Sequence, residues 1–227
     1  MSSSDKKELL KEAVIKMLSG IILLGVLLFL PAGDIHWRNG WLLMLILFVP
    51  MFIAGIVMLV IAPDLLRSRL KAKETQGEQK EVIAFSGLMF ITAFVLAGLN
   101  YRFQWTTLQK QIIWAAVILF LLAYCLFGEV LRENQHLSRV IEVQEDQTVV
   151  DTGLYGIVRH PMYSATVLLF LCMPLVLGSL PSFVVMLAYI PIIVKRIRNE
   201  EQVLETELKG YSEYKKKVKN RLIPFVW

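Results

Sequence analysis

The sequence predicts an all-α integral membrane protein. Three observations carry that prediction: apolar residues gathered into long runs, Lys and Arg confined to one side of those runs, and large aromatics marking the other side. Of the 227 residues, 56% are hydrophobic, and runs of this kind belong in lipid. Six stand out, at residues 14–31, 41–61, 82–99, 112–131, 162–177 and 180–194. The first follows a charged segment but lacks a small-residue cleavage site, so it reads as a helix and not a removed signal. The first four approach the ~20 residues that a spanning helix needs. The last two are shorter and are separated only by Gly178 and Ser179, with Pro174 and Pro181 beside the break. They predict a tight helical hairpin, giving about six segments in all. Residues 195–209 then continue the last one as a cytosolic C-terminal helix.

Charge sets the orientation. With six crossings, the N-terminus, residues 62–81, residues 132–160 and the tail after Val194 share one side and hold 21 of the 24 Lys and Arg. Arg38, Arg102 and Lys110 are left for the other side, together with Trp37, Trp41, Tyr101, Trp105 and Trp114. Basic residues in short loops stay in the cytosol and amphipathic rings gather at interfaces. Both termini are therefore predicted to be cytosolic, in a multi-pass protein of the cell membrane. The net charge of +5 reads as topology and attraction to anionic lipid headgroups. It does not read as a nucleic-acid footprint, because no basic patch interleaved with stacking aromatics exists outside the tail. Cys125 and Cys172 fall inside apolar runs, which predicts buried packing and no disulfide. His36 and His136 lack ligand-spaced neighbours, so no metal site is expected.

The chain reads as a single membrane domain, 1–227, with uneven duties. Residues 1–131 form a four-span scaffold with few polar groups in lipid; only Glu129 comes close, which gives an ion pathway little support. Residues 132–227 carry the chemistry. There, residues 142–151 are a polar connector, with an extended piece expected at 148–150. Arg159-His160-Pro161 follows. Proline is favoured at the first position of a helix, which puts His160 near the N-cap and Arg159 just before it. Unpaired backbone donors and the positive end of the helix dipole suit a carboxylate or phosphate there. Glu201 lies on a helical stripe with Ile197, Leu204, Leu208 and Tyr211 and so points inward, where a carboxylate needs a partner. Glu200 is spaced to pair with Arg196 at i,i+4. Tyr155 and Tyr163 flank the Arg-His-Pro turn and are placed to enclose a flat ring or a sulfonium, whereas Tyr211 and Tyr214 read as packing.

Gly153-Leu154-Tyr155, Val158-Arg159-His160-Pro161-Met162-Tyr163, Arg196 with Glu200-Glu201, Gly210-Tyr211, Tyr214 and Leu222-Ile223-Pro224 together resemble the isoprenylcysteine carboxyl methyltransferase family, and related phospholipid methyltransferases over the same stretch. Leu154 departs from the proline usual in the family, and Ala165 from its glycine. The resemblance implies methyl transfer from S-adenosylmethionine to a lipophilic acceptor arriving from the membrane. Tyr155, His160, Tyr163, Glu200 and Glu201 would line the cofactor pocket, and Arg159 and Arg196 would stand nearest the reacting groups. A carboxylate or thiolate acceptor needs no general base in such a step. That requirement and the absence of an obvious base favour it over an amine. Two competing readings are an NADPH-dependent membrane sterol reductase, which has a similar C-terminal segment, and a non-catalytic membrane protein with a retained nucleotide or lipid pocket.

Overall fold

The computed structural model describes residues 3–70, 77–134, 143 and 147–227. His136 and most of the first half of the polar connector lie outside the described residues. The described chain is helical: α1 (Ser3–Ala32), α2 (Arg38–Ile61), α3 (Pro63–Leu70), α4 (Gly77–Phe103), α5 (Lys110–Glu133), α6 (Pro161–Val176), α7 (Leu180–Met186), α8 (Tyr189–Glu207) and α9 (Tyr211–Lys217), with a 3-10 turn at Gly153–Gly156 between α5 and α6. Residues 147–150 form no strand.

Among the described residues, five stretches are long and apolar enough to cross a membrane. Four follow the first four sequence runs. The fifth, Leu180–Glu207, spans 28 residues and combines α7 and α8 across a turn at Leu187 and Ala188. The last run continues past Val194 without a break, so the hairpin arm and the helix expected over residues 195–209 form one element that ends at Glu207. The fifth run becomes α6, a 16-residue apolar helix, about 24 Å at the usual rise per residue. The tight connection between the two is as expected. Gly178 takes φ +76, a left-handed conformation that glycine adopts without steric cost, and the Ser179 side chain caps α7 by accepting from the Ser182 amide.

Hydrogen bonds gather the loops at two ends. At one end, Tyr101 donates to Asp34 at 2.7 Å, Asn100 donates to the Thr106 and Gly178 carbonyls, and the Leu180 amide meets Thr106. Trp41, Trp105 and Trp114 are exposed there, as interfacial rings should be. Trp37 differs: it is buried and stacks on Tyr101 with ring centroids 4.9 Å apart, so it belongs to the core. The opposite end is the basic one, where Lys16 donates to the Leu70 carbonyl and Lys195 pairs with Glu81 at 2.9 Å.

Between the ends, α1 packs on α2 and α4, α5 lies along α6, and α4 supports α7 and α8. Leu28, Leu43, Phe120 and Val176 are fully buried at the centre. Cys172 is buried as expected, but Cys125 is exposed on the outer face of α5, because its helical position falls on the side away from α6.

Candidate functional site

The site is built at the basic end, from the turn before α6, the lower half of α8 and the segment after α9. It begins with the end of α5, where both carboxylate oxygens of Glu133 accept from the Leu154 amide, at 3.0 and 3.2 Å. Gly153 makes room for this: its φ is +51, and a Cβ there would lie 1.5 Å from Glu133 Oε1. The turn carries Tyr155, which is buried. Its hydroxyl accepts from Asn134 at 3.1 Å and its carbonyl accepts from the Tyr214 hydroxyl at 2.7 Å.

The chain next pairs, backbone to backbone, with residues far along the sequence. The Arg159 amide donates to the Asn220 carbonyl and the His160 amide to the Arg221 carbonyl, both at 2.9 Å. Ser164, one turn into α6, donates to the Leu222 carbonyl at 2.6 Å. Residues 218–222 therefore form a strap across the start of α6. Pro161 occupies the first turn of α6 and His160 is its N-cap residue, as expected, but the His160 side chain makes no capping bond.

Arg159 does not reach out to lipid. Its side chain is 3% exposed, with Nε donating to Glu201 at 2.7 Å and Nη1 to the Val218 and Lys219 carbonyls at 2.7 and 2.8 Å. Glu201 points inward on the stripe formed by Ile197, Leu208 and Tyr211, all buried. Its partners are all protein groups: Arg159, His160 Nε2 at 3.2 Å and Arg221 Nε at 3.0 Å, with the Lys215 ammonium 4.0 Å away. A buried ion pair is sustained only when further hydrogen bonds satisfy both groups, and the strap carbonyls supply them for Arg159.

A second chain of bonds lies beside the first. Arg196 Nε donates to the Tyr163 hydroxyl at 2.8 Å, and that hydroxyl donates to Glu200 at 2.5 Å. The His160 and Tyr163 rings stack with centroids 5.8 Å apart, and His160 Nδ1 is 3.9 Å from Glu200. The two neighbouring carboxylates thus have different surroundings. The Glu201 side chain is 4% exposed and Glu200 22%, so Glu200 is the one a small molecule can reach.

Six of the seven residues singled out from the sequence, Arg159, His160, Tyr163, Arg196, Glu200 and Glu201, therefore belong to one connected network. Tyr155 joins it only indirectly, through the Tyr214 bond and the fold of the turn. Sequence reasoning missed Glu133, Ser164, Arg221 and the hydrogen-bonding role of Tyr214. Arg221 is one of nine cations after Val194, with nothing in its spacing to distinguish it. Tyr211 packs, as expected, in a buried cluster with Leu208, Tyr214 and Val218, and its hydroxyl has no hydrogen-bond partner among the described residues.

Burial pushes the Tyr211 and Tyr214 hydroxyls well above the ordinary tyrosine value. An acid raised in the folded state contributes stability that is complete below its unfolded pKa, about 10, and is lost as pH rises beyond it. The segment around α9 should therefore detach above about pH 10 while the spans stay helical. Limited proteolysis after Lys209, followed across pH, checks this. Tyr214→Phe should weaken the pH dependence, and unchanged protease resistance at strongly alkaline pH would refute it.

Residues 114–206 match the family model described as the isoprenylcysteine carboxyl methyltransferase (ICMT) family, the family that the sequence resembles. The match takes in most of α5, the Arg-His-Pro turn and nearly all of α8, and it ends before the strap. It supports a membrane methyltransferase. No curated protein matches the chain.

Proposed function

We propose that this protein transfers a methyl group from S-adenosylmethionine to a lipophilic acceptor bearing a carboxylate or thiolate, at the basic, cytosolic face of the membrane. The observation that carries this reading is the contrast between Glu201, sealed by protein cations, and Glu200, left partly open beside Tyr163 and His160.

The residues present suit the cofactor. A half-open carboxylate accepts from an ammonium or a ribose hydroxyl, and the unpartnered Tyr211 hydroxyl lies within electrostatic reach of Glu201 and Glu200. A buried hydroxyl without a partner carries a desolvation cost that a ligand removes. Tyr155, His160, Tyr163 and Glu200 would hold the cofactor, with Tyr211 added to the set read from the sequence. Glu201 and Arg159 act one layer behind, fixing the His160 ring and the strap. Bound S-adenosylmethionine supplies an electrophilic methyl group whose departure leaves a neutral thioether.

The chain's own contribution is alignment and exclusion of water, which can supply much of the acceleration of such a transfer. Tyr163 donates its proton to Glu200, leaving its oxygen to accept from Arg196. That bond holds the guanidinium 6.0 Å from the Tyr163 ring centroid, where it can orient an acceptor anion. A carboxylate or thiolate acceptor arrives already deprotonated, so no base is asked of the site.

Calorimetry with S-adenosylhomocysteine and NADPH tests the reading. The homocysteine product should bind, Glu200→Gln should weaken it about tenfold, the loss of one charged hydrogen bond, and NADPH should not bind. Binding of NADPH alone would overturn the proposal. Labelled S-adenosylmethionine offered with prenyl-cysteine analogues and total lipid then identifies the acceptor.

A further inference from the structure

Exposed apolar side chains are expected on helices that cross a membrane, where lipid covers them. Outside those helices and α6, the exposed large apolar residues among the described ones fall in two places. Ile35 and Trp105 lie at the end where the interfacial rings gather. The others are at the basic end: Ile157 in the turn before α6, and Ile223, Phe225 and Val226 just beyond the strap. Phe225 is 98% exposed and has φ +64, a left-handed backbone that is costly for a side chain of its size. The turn around it is nevertheless closed. The Leu222 and Ile223 amides donate to the main-chain oxygen of Trp227 at 2.8 and 3.0 Å, and the Val226 and Trp227 amides donate to the Ile223 carbonyl at 3.1 and 3.2 Å. These bonds hold an apolar tip in a strained shape and leave the Phe225 ring almost wholly uncovered.

Both ends of the turn fix its height. The Leu222 carbonyl accepts from Ser164, one turn into α6. Trp227 packs against the buried cluster that includes Tyr163, Ile193 and Ile197, where the apolar run of α8 ends at Val194. The tip therefore stands beside the start of a membrane helix, at the boundary between the apolar spans and water. Behind it runs a basic stretch: Lys215, Lys216, Lys217, Lys219 and Arg221, with no acid among them. Lys215, Lys217 and Arg221 are engaged with Glu205, Asp151 and Glu201. Lys216 and Lys219 are exposed and have no ion-pair partner among the described residues.

We propose that the turn at residues 223–226 inserts into the headgroup region of an anionic bilayer leaflet, with Ile223, Phe225 and Val226 against the upper acyl chains and Lys216 and Lys219 at the lipid phosphates. Apolar burial and attraction of basic residues to anionic headgroups are the two signals that together hold a segment at a membrane surface. A protein partner would suit the apolar tip alone; a leaflet accounts also for its place beside the spans and for the unpaired cations behind it. Insertion covers the Phe225 ring and so supplies the stabilisation that its left-handed backbone lacks within the chain. Leu222 closes the strap whose carbonyls hold Arg159 and His160, so the inserted tip fastens that strap from the lipid side. The proposal is independent of the reaction proposed above.

The test uses the full chain in nanodiscs of phosphatidylcholine alone and of phosphatidylcholine mixed with phosphatidylglycerol. Hydrogen exchange reads the unlabelled tip: the amides of residues 222–227 should exchange several-fold more slowly in the mixed discs. Phe225→Asn keeps a residue that tolerates the left-handed backbone and should speed that exchange several-fold in both discs. Lys216→Gln combined with Lys219→Gln should remove the dependence on phosphatidylglycerol. Depth comes from a fluorophore on Phe225→Cys in a Cys125→Ala background. It should be quenched by lipid carrying a doxyl group near the headgroup and shielded from aqueous iodide, unlike the same label on Glu207→Cys at the water-side end of α8. Exchange that ignores both the lipid and Phe225→Asn, or iodide quenching at the tip equal to that at Glu207→Cys, would overturn the proposal. So would a tip label shielded from iodide and doxyl lipid alike, which marks a protein contact instead.

Discussion

Arg159→Ala should abolish S-adenosylhomocysteine binding and destabilise the protein by several kcal/mol, roughly 1–3 kcal/mol for each hydrogen bond that the buried guanidinium gives up. Three bonds from one guanidinium are lost together: the one to Glu201 and the two to the strap carbonyls of Val218 and Lys219. Glu201 keeps Arg221 and His160, so the carboxylate is not orphaned. The two carbonyls are left to find other donors, and the strap loses its side-chain anchor while keeping its backbone pairing at Arg159 and His160. Arg159→Lys retains the charge but not the planar fork, and a single ammonium cannot meet all three acceptors in their present geometry. It should therefore recover part of the stability and little of the binding. A thermal-unfolding series in detergent, run beside ligand titration, separates the two losses. Wild-type melting and affinity in Arg159→Ala would show that the buried network does not organise the site.

Gly153→Ala should be damaging although it adds a single methyl group. A left-handed backbone costs a non-glycine residue roughly 1–2 kcal/mol, and the new Cβ would collide with the carboxylate that holds the Leu154 amide. Moving Glu133 aside forfeits a charge-assisted hydrogen bond, about 1.5–3 kcal/mol. The result should be a displaced turn, Tyr155 out of place, and ligand affinity at least tenfold weaker. A Gly153→Ala, Glu133→Ala double variant removes the collision and leaves only the backbone penalty and the lost bond. If adding Gly153→Ala to Glu133→Ala costs as much by titration as adding it to the wild type, steric conflict with Glu133 is not the cause.

The sequence was most informative where structure repeats locally. Long apolar runs placed the spans, the 3.6-residue period turned Glu201 inward, and proline marked the first turn of α6. Each of these signals is contained within one or two helical turns. The strap, the Glu133 carboxylate and Arg221 lie 20 to 60 residues from the groups they hold, and such pairings leave no periodic trace. The same limit explains the different fates of Glu200 and Glu201. Adjacent residues on one helix look interchangeable until the cations that seal one of them arrive from elsewhere. Leu154 is a partial exception. Its departure from the usual proline is visible in the sequence, and its amide is the donor that Glu133 uses, a bond proline cannot make.

The strap also fixes when the turn before α6 can be anchored. Chains emerge from the ribosome N-terminus first, so α1 through α8 can be placed in the bilayer while residues 218–222 are still unmade. Until those residues appear, Arg159 lacks two of its acceptors and His160 and Ser164 lack theirs. A copy without residues 218–222 would sit in the membrane with the turn before α6 unanchored.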